Sequence, residues 1–276
     1  MKIEEISKLL AAMPHRKVFD ANDILFGAIQ KGFSVLGENS SAALLSHLVV
    51  TRQLPDDLVA NYASAEKAIA SVSGYGSKII LKAIKQALAE QTPSRNSRQG
   101  VQEMVQEIEA AKISDFVRHM PGRSHVAFFY SRASHRDRVL SDHLASGKAP
   151  KWLMSVDHPR MPFNYNSTYA ELVFRNRGDW VKRTFDYIER LHAANETSEP
   201  TRVVGEDASW FFRNGEGNAI VQTEQELGPQ IQKNMTFLCC YDAEAMDDER
   251  AVKAILGSHS HVIIDNPLAL YQIMDS

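Results

Sequence analysis

Three aromatic residues stand beside polar ones where strand-like runs end: Tyr130 after HVAFF, Trp210 after RVVGEDAS and Tyr241 after FLCC. Their polar neighbours are Arg132, Glu206 and Asp242. Rings that converge with a few polar groups describe a small-molecule pocket. Tyr130, Arg132, Glu206, Trp210, Tyr241 and Asp242 are therefore the candidate ligand-binding set. The alternative for each ring is a place in the core. No nucleophile stands beside the three polar residues, so orientation is their expected work and no catalytic residue is assigned. Glu206 and Asp207 are adjacent acids after a strand. That suits acid–base work in a hydrolase or transferase, and it equally suits capping of the next helix.

His259 and His261 lie two apart beside a strand and would face one side if both were extended. A metal needs a third ligand, and the neighbouring sequence offers none, so a capping or core role is expected, with no metal and no cofactor. Cys239 and Cys240 are the only cysteines. Neighbours on a strand point to opposite faces, so a disulfide between them would be strained. They read as two small buried residues.

The elements that must position these groups alternate. HVAFFY, KWLMSV, RVVG, TFLCCY and HVII read as buried strands, with helical stretches around residues 138–144, 180–194, 222–232 and 247–256. Alternation of this kind builds a mostly parallel sheet covered by helices on both faces. Ligands of such sheets bind at the carboxyl ends of the strands. A phosphate loop is missing. Ser146-Gly147-Lys148 is the nearest approach, but Ala149 follows the lysine and the segment precedes a strand instead of following one. ATP is expected neither to bind nor to be hydrolysed. Residues 157–179 read as an irregular, aromatic-rich insertion.

Residues 1–90 read as helical throughout. A helix capped by Asn22 or Asp23 carries Leu25, Phe26, Ile29 and Phe33 inward, and Gly37 ends it. A second starts at Ser40 or Ser41, a third at Pro55 and a fourth after Gly74-Tyr75-Gly76. Four such helices close a small bundle. The polar stretch QTPSRNSRQG, residues 91–100, reads as a hinge. The stripe of Val101, Met104, Val105 and Ile108 reads as a connecting helix. The expected layout is an all-helical bundle at 1–92, a linker and connecting helix at 93–120, and an α/β domain at 121–276.

A formal charge of −3 argues against a nucleic-acid grip over the whole surface. No apolar run approaches the roughly 20 residues that span a bilayer. The first residues lack the pattern of a signal peptide, so a cytoplasmic location is expected.

Two stretches also carry resemblances. HVAFFYSR, RVVGEDASW, FLCCYD and ILGSHSHVII, in that order over residues 123–268, resemble the MEDS domain, a methanogen and methylotroph sensory domain. That resemblance implies a RecA-like core without its phosphate loop, and sensing of a small organic molecule. Here HLASGKAPKW replaces the family's G-L-x-x-G-E segment, so no particular ligand carries over. DILFGAIQKGFSVLGENSSAALLSHL with SGYGSKIILKAIKQALAE is similar to the Nitrosopumilus output domain of archaeal signalling proteins. It implies a module for output, through a protein partner or self-association. Together they point to a cytoplasmic regulatory protein. The helix at 99–119 would relay the signal, with a hydrolase or a non-binding scaffold as the alternatives.

Overall fold

The computed structural model describes residues 1–94, 99–145, 150–154, 180–195, 197–231, 234–266 and 268–274. The aromatic-rich stretch at 157–179, Ser146-Gly147-Lys148 and residues 95–98 of the expected hinge lie outside them. The chain is of the α/β class. It divides into two compact units, Phe19–Ile113 and Met1–Val18 with Ser114–Ser276.

The first 18 residues correct the expected layout, because they belong to the α/β unit and not to the bundle. Helix α1 (Ile3–Ala11) buries Ile3, Ile6 and Leu10 in the core of that unit. Strand β1 (His15–Lys17) then pairs in its sheet. Three polar residues, His15, Arg16 and Lys17, carry too little pattern to announce a strand. Pairing along the sheet edge decides it.

The helical unit follows. Helix α2 (Ala21–Phe33) is capped by Asp20, whose carboxylate accepts from the Asn22 amide at 2.7 Å. Asn22 and Asp23 therefore lie inside the helix. Next come α3 (Glu38–Val50), α4 (Tyr62–Ser73) and α5 (Ser77–Ala89). The third helix begins at Tyr62 and not at Pro55. Asp57 holds the Ala60 amide in a turn before it. Helices α2 and α5 approach closely at Gly32, where a Cβ would stand 2.4 Å from Ile84 Cγ1 and 3.1 Å from the Ile80 carbonyl. Ile29, Phe33, Ile69, Ile80, Ile84 and Leu88 fill the centre of this unit. Each such side chain contributes about 1.5–3 kcal/mol by leaving water.

Helix α6 (Val101–Arg118) corrects the position of the boundary. Its Val101, Met104, Val105 and Ile108 belong to the helical core. The division between the units falls inside it, between Ile113 and Ser114, so residues 91–94 and 99–100 lie within the helical unit. Their polar composition marked a connection between two helices of one core, not a boundary between two cores.

The α/β unit contains β2 (His125–Tyr130), α7 (Ala133–Ala145), β3 (Lys151–Met154), α8 (Trp180–Ala193) and β4 (Thr201–Gly205). It continues with α9 (Ala208–Arg213), α10 (Gly217–Gln230), β5 (Met235–Asp242), α11 (Glu249–Ser258), β6 (His261–Ile264) and β7 (Ala269–Ile273). The sheet order is β1-β7-β6-β2-β5-β4-β3. Strands β6, β2, β5, β4 and β3 are parallel, while β7 and β1 add antiparallel at one edge. The step from β2 to β3 runs one way along the sheet, and the steps through β4 and β5 to β6 run the other way. Right-handed crossovers then send their helices to opposite faces.

Helices α1, α8, α9, α10 and α11 share one core cluster with Ala127, Phe129, Phe237, Cys239, Tyr241 and Val262. The other face takes α7 and the end of α6. There the buried Arg202 of β4 donates to the carbonyls of Arg118 at 2.6 Å, His143 at 3.1 Å and Val117 at 3.4 Å. Its positive charge sits at the carboxyl ends of α6 and α7, where helix dipoles favour it. Among the described residues no helix is long and apolar enough to cross a membrane.

Candidate functional site

Among the described residues the three expected rings do not converge at the strand ends. Phe129 pairs with Tyr241 and Tyr130 with Asp242 in the β2–β5 register. Neighbours on a strand alternate faces, so Tyr130 and Tyr241 leave the sheet on opposite sides. Tyr241 stacks on Phe129 at 5.1 Å and is fully buried. Tyr130 lies beside Phe128 and under the Arg136 guanidinium, 5.7 Å from its ring. Trp210 is half-buried on α9, edge-on to Phe211. Period-two geometry separates rings that share only a place near strand ends.

The polar members are paired with other protein groups. Glu206 accepts from Arg136 at 2.8 Å, and Asp242 forms an ion pair with Arg213. Asp265, at the end of β6, accepts from the Ser131 amide and hydroxyl and from His135. Arg132 is exposed. Glu206 and Asp207 also part company. Glu206 turns to α7, while Asp207 occupies the cap position of α9 without a side-chain capping bond. The acid pair neither converges nor caps.

A different cluster lies beneath the core face. His125 comes from the first position of β2, Cys239 from the middle of β5, Glu224 from α10 and His259 from the end of α11. Their ligand-capable atoms all lie within 4.8 Å of one another, and all four residues are buried. Helix α10 turns Ile220, Glu224 and Leu227 to the core, so one face of that helix presents a carboxylate among apolar side chains. Gly228 lets the end of α11 and the His125 ring close in. A Cβ there would stand 3.3 Å from the Ser258 carbonyl and 3.8 Å from His125 Nδ1.

The hydrogen bonds fix which atoms face inward. His125 Nδ1 is 3.1 Å from the Ser258 carbonyl and His259 Nδ1 is 2.6 Å from the Ile255 carbonyl. A carbonyl only accepts, so each Nδ1 carries the proton and donates. In the neutral ring each Nε2 then keeps its lone pair, the arrangement found in metal-ligating histidines, whereas a protonated His125 donates from Nε2 to Glu224. His125 Nε2 is 3.0 Å from Glu224 Oε2, and His259 Nε2 is 3.6 Å from the same oxygen. Cys239 Sγ is 3.5 Å from His125 Nε2 and 3.8 Å from Glu224 Oε2. The other carboxylate oxygen, Oε1, accepts from the Tyr241 hydroxyl at 2.5 Å.

These spacings suit one ion. Bonds of about 2.0–2.1 Å to nitrogen and oxygen and about 2.3 Å to sulfur give tetrahedral edges near 3.3 Å and 3.6 Å. His259 Nε2 is buried and makes no hydrogen bond; Glu224 Oε2 lies 3.6 Å from it. Burial, and then the charge of His125, push His259 down to about 3. Burial alone would raise Glu224, but the His125 hydrogen bond, the two imidazole charges and the Tyr241 hydroxyl outweigh it and hold the carboxyl at about 2. Burial and the Glu224 carboxylate push the Cys239 thiol well up. A bound cation would reverse that last effect.

Sequence reading missed this set and expected no metal. Its members are separated by up to 134 positions, and only the sheet and the α10–α11 contact bring them together. The turn after α11 also separates His259 from His261. The latter starts β6 and lies against Phe116 at 5.0 Å. One signal was legible: Glu224 falls on the apolar stripe of Ile220 and Leu227. Comparisons of the chain with protein-family models, curated proteins and solved structures find no match. The two family resemblances therefore rest on the quoted motifs alone.

Proposed function

We propose that this chain is a regulatory protein whose α/β unit binds one divalent transition-metal ion through His125, Glu224, Cys239 and His259. The helical unit is its output module. The observation that carries this reading is the convergence of four buried ligand-capable atoms within 4.8 Å of one another, among them the Nε2 of His259, which makes no hydrogen bond and lies 3.6 Å from the carboxylate oxygen that a second imidazole and a thiol also face. Two imidazoles, a thiolate and a carboxylate are a borderline donor set suited to zinc and its late first-row neighbours. Glu224 ligates through Oε2, and Tyr241 holds the other oxygen. Binding displaces the Cys239 proton. The buried setting of all four ligands favours a sensory or structural ion.

Support for an output role is the set of apolar side chains that the helical unit leaves exposed, among them Val50, Tyr75 and Ile79. Those suit a protein partner or self-association. The covalent path between the units includes α6, one continuous helix across the boundary.

The test is cobalt substitution of the full chain after chelation. One equivalent of Co2+ should produce a thiolate-to-cobalt charge-transfer band, and zinc should displace it. Cys239→Ser should remove the band. Tyr241→Phe should keep it and weaken binding about 10–100-fold, as loss of a group behind a ligand does. A wild-type chain that takes up no Co2+, or a band that survives Cys239→Ser, overturns the reading.

A further inference from the structure

Beside the centre lies a small enclosed space of about 30 Å³, bordered by Met154, Gly205, Asp207, Thr223, Glu224 and Cys239 among others. Two proposed ligands, Glu224 and Cys239, are therefore also part of its wall. A water occupies about 10–15 Å³ on this measure, so the space admits two or three heavy atoms. Its outer wall is polar at Asp207, which is 5 % exposed. Gly205 creates part of the opening. A Cβ on it would stand 3.8 Å from Asp207 Oδ1 and 3.9 Å from Cys239 Sγ, in the gap between the metal ligand and the acid.

We infer that this space is the ligand subsite of the metal centre. It takes a neutral molecule of two or three heavy atoms whose oxygen adds to the ion as a fifth ligand and hydrogen-bonds to Asp207. The inference rests on the metal reading above. Three observations select this ligand class. Volume excludes anything with a ring or a branched carbon chain. Charge excludes an anion: a divalent ion with one thiolate and one carboxylate is already neutral, and a further negative charge in a buried site is costly. The donor set leaves room for expansion, since zinc-class centres pass from four to five ligands. Asp207 supports the orientation. Its carboxyl lies in the wall of the space, across the gap from Cys239 Sγ, where it meets the oxygen of a bound molecule. This gives the centre something to report, the arrival of a small oxygen compound at the ion. It places the binding site under the core face of β4 and β5, beside the last residues of β3 and β4.

The experiment uses the cobalt-loaded full chain titrated with methanol, formamide and tert-butanol, with the cobalt d–d spectrum as readout. Methanol and formamide should each cause a saturable shift, and tert-butanol should cause none. Gly205→Ala should keep the thiolate-to-cobalt band and weaken the methanol and formamide response at least tenfold. An alanine fits there, because the contacts of its methyl are ordinary van der Waals distances. Asp207→Asn, which keeps a polar side chain of the same shape, should retain the response, and Asp207→Leu should lose it. If no cobalt band forms in the wild type, the metal reading itself fails. If the band forms but neither small probe shifts it, or tert-butanol or Gly205→Ala responds like the wild type, the subsite is overturned and the metal centre stands.

Discussion

The carboxyl edge of the sheet and the cluster beneath its core face are both rich in charged and polar groups, and they differ in how those groups are met. At the edge, Glu206 has Arg136, Asp242 has Arg213, and Asp265 has Ser131 and His135. Every one of these acids faces a donor. Beneath the face, one carboxylate oxygen is approached by two imidazole nitrogens with committed Nδ1 protons and by a thiol. A buried polar group left unmet costs about 1–3 kcal/mol. A fold keeps such a group when something else meets it. Aromatics near strand ends drew attention to the edge, whereas the proposed metal centre rests on the four side chains that converge beneath the face.

The contrast can be broken most decisively at Glu224. Glu224→Gln should reduce Co2+ affinity by more than the roughly 10–100-fold that changes behind a ligand bring, as read by titration of the charge-transfer band. The amide can donate to His259 Nε2, so the metal-free variant should unfold at no lower denaturant concentration than the metal-free wild type. If the cluster were only an ion pair, the same change would leave imidazolium unpaired and cost about 3–5 kcal/mol. That outcome would return the cluster to a purely structural role.

His143, on the other face of the sheet, is a second buried imidazole, with Nδ1 3.4 Å from the Val117 carbonyl. Burial, then the Arg202 guanidinium, push it down from 6.5 to about 3 against its backbone hydrogen bonds. Its folded value lies below its unfolded one, so the unfolded chain takes up the proton first as pH falls. Its contribution is whole above pH 6.5 and is lost progressively between pH 6.5 and about 3. The loss is on the order of 1.4 kcal/mol per pH unit at its steepest. Denaturant unfolding across that window should show a shallower slope for His143→Gln, and an unchanged slope would show that the ring does not couple to folding.

At the edge, Glu206→Gln should cost about 1–3 kcal/mol by leaving Arg136 short of its acceptor, with cobalt binding unaltered. A change in the cobalt spectrum would join edge and centre into one site. Trp210→Ala should cost only about 1–2 kcal/mol, because the ring is half-buried. Arg132→Ala should stay within about 0.5 kcal/mol of the wild type. Loss of cobalt binding in either would restore the strand-end residues to the site.

Much of the architecture lay open in the sequence. HVAFFY, RVVG, TFLCC and HVII are apolar on both faces, and only a sheet covered on both sides buries such runs. The stripe of Ile80, Ile84 and Leu88 on α5, and that of Val101, Met104 and Val105 on α6, fixed which faces turn inward. Cys239 and Cys240 on opposite faces followed from strand period alone. Local pattern could not say that β1 pairs with β7 across more than 250 residues, or that α6 belongs to both units. Those outcomes depend on edge pairing and on which core a stripe meets. The centre was less legible still. His125, Glu224, Cys239 and His259 each stood in a segment whose secondary structure was plain, but their convergence needs the β2–β5 register, the α10 rotation and the close pass at Gly228. Sequence determined the faces these side chains take; only tertiary packing decided that four of them meet, because coordination depends on distances between segments that no local spacing encodes.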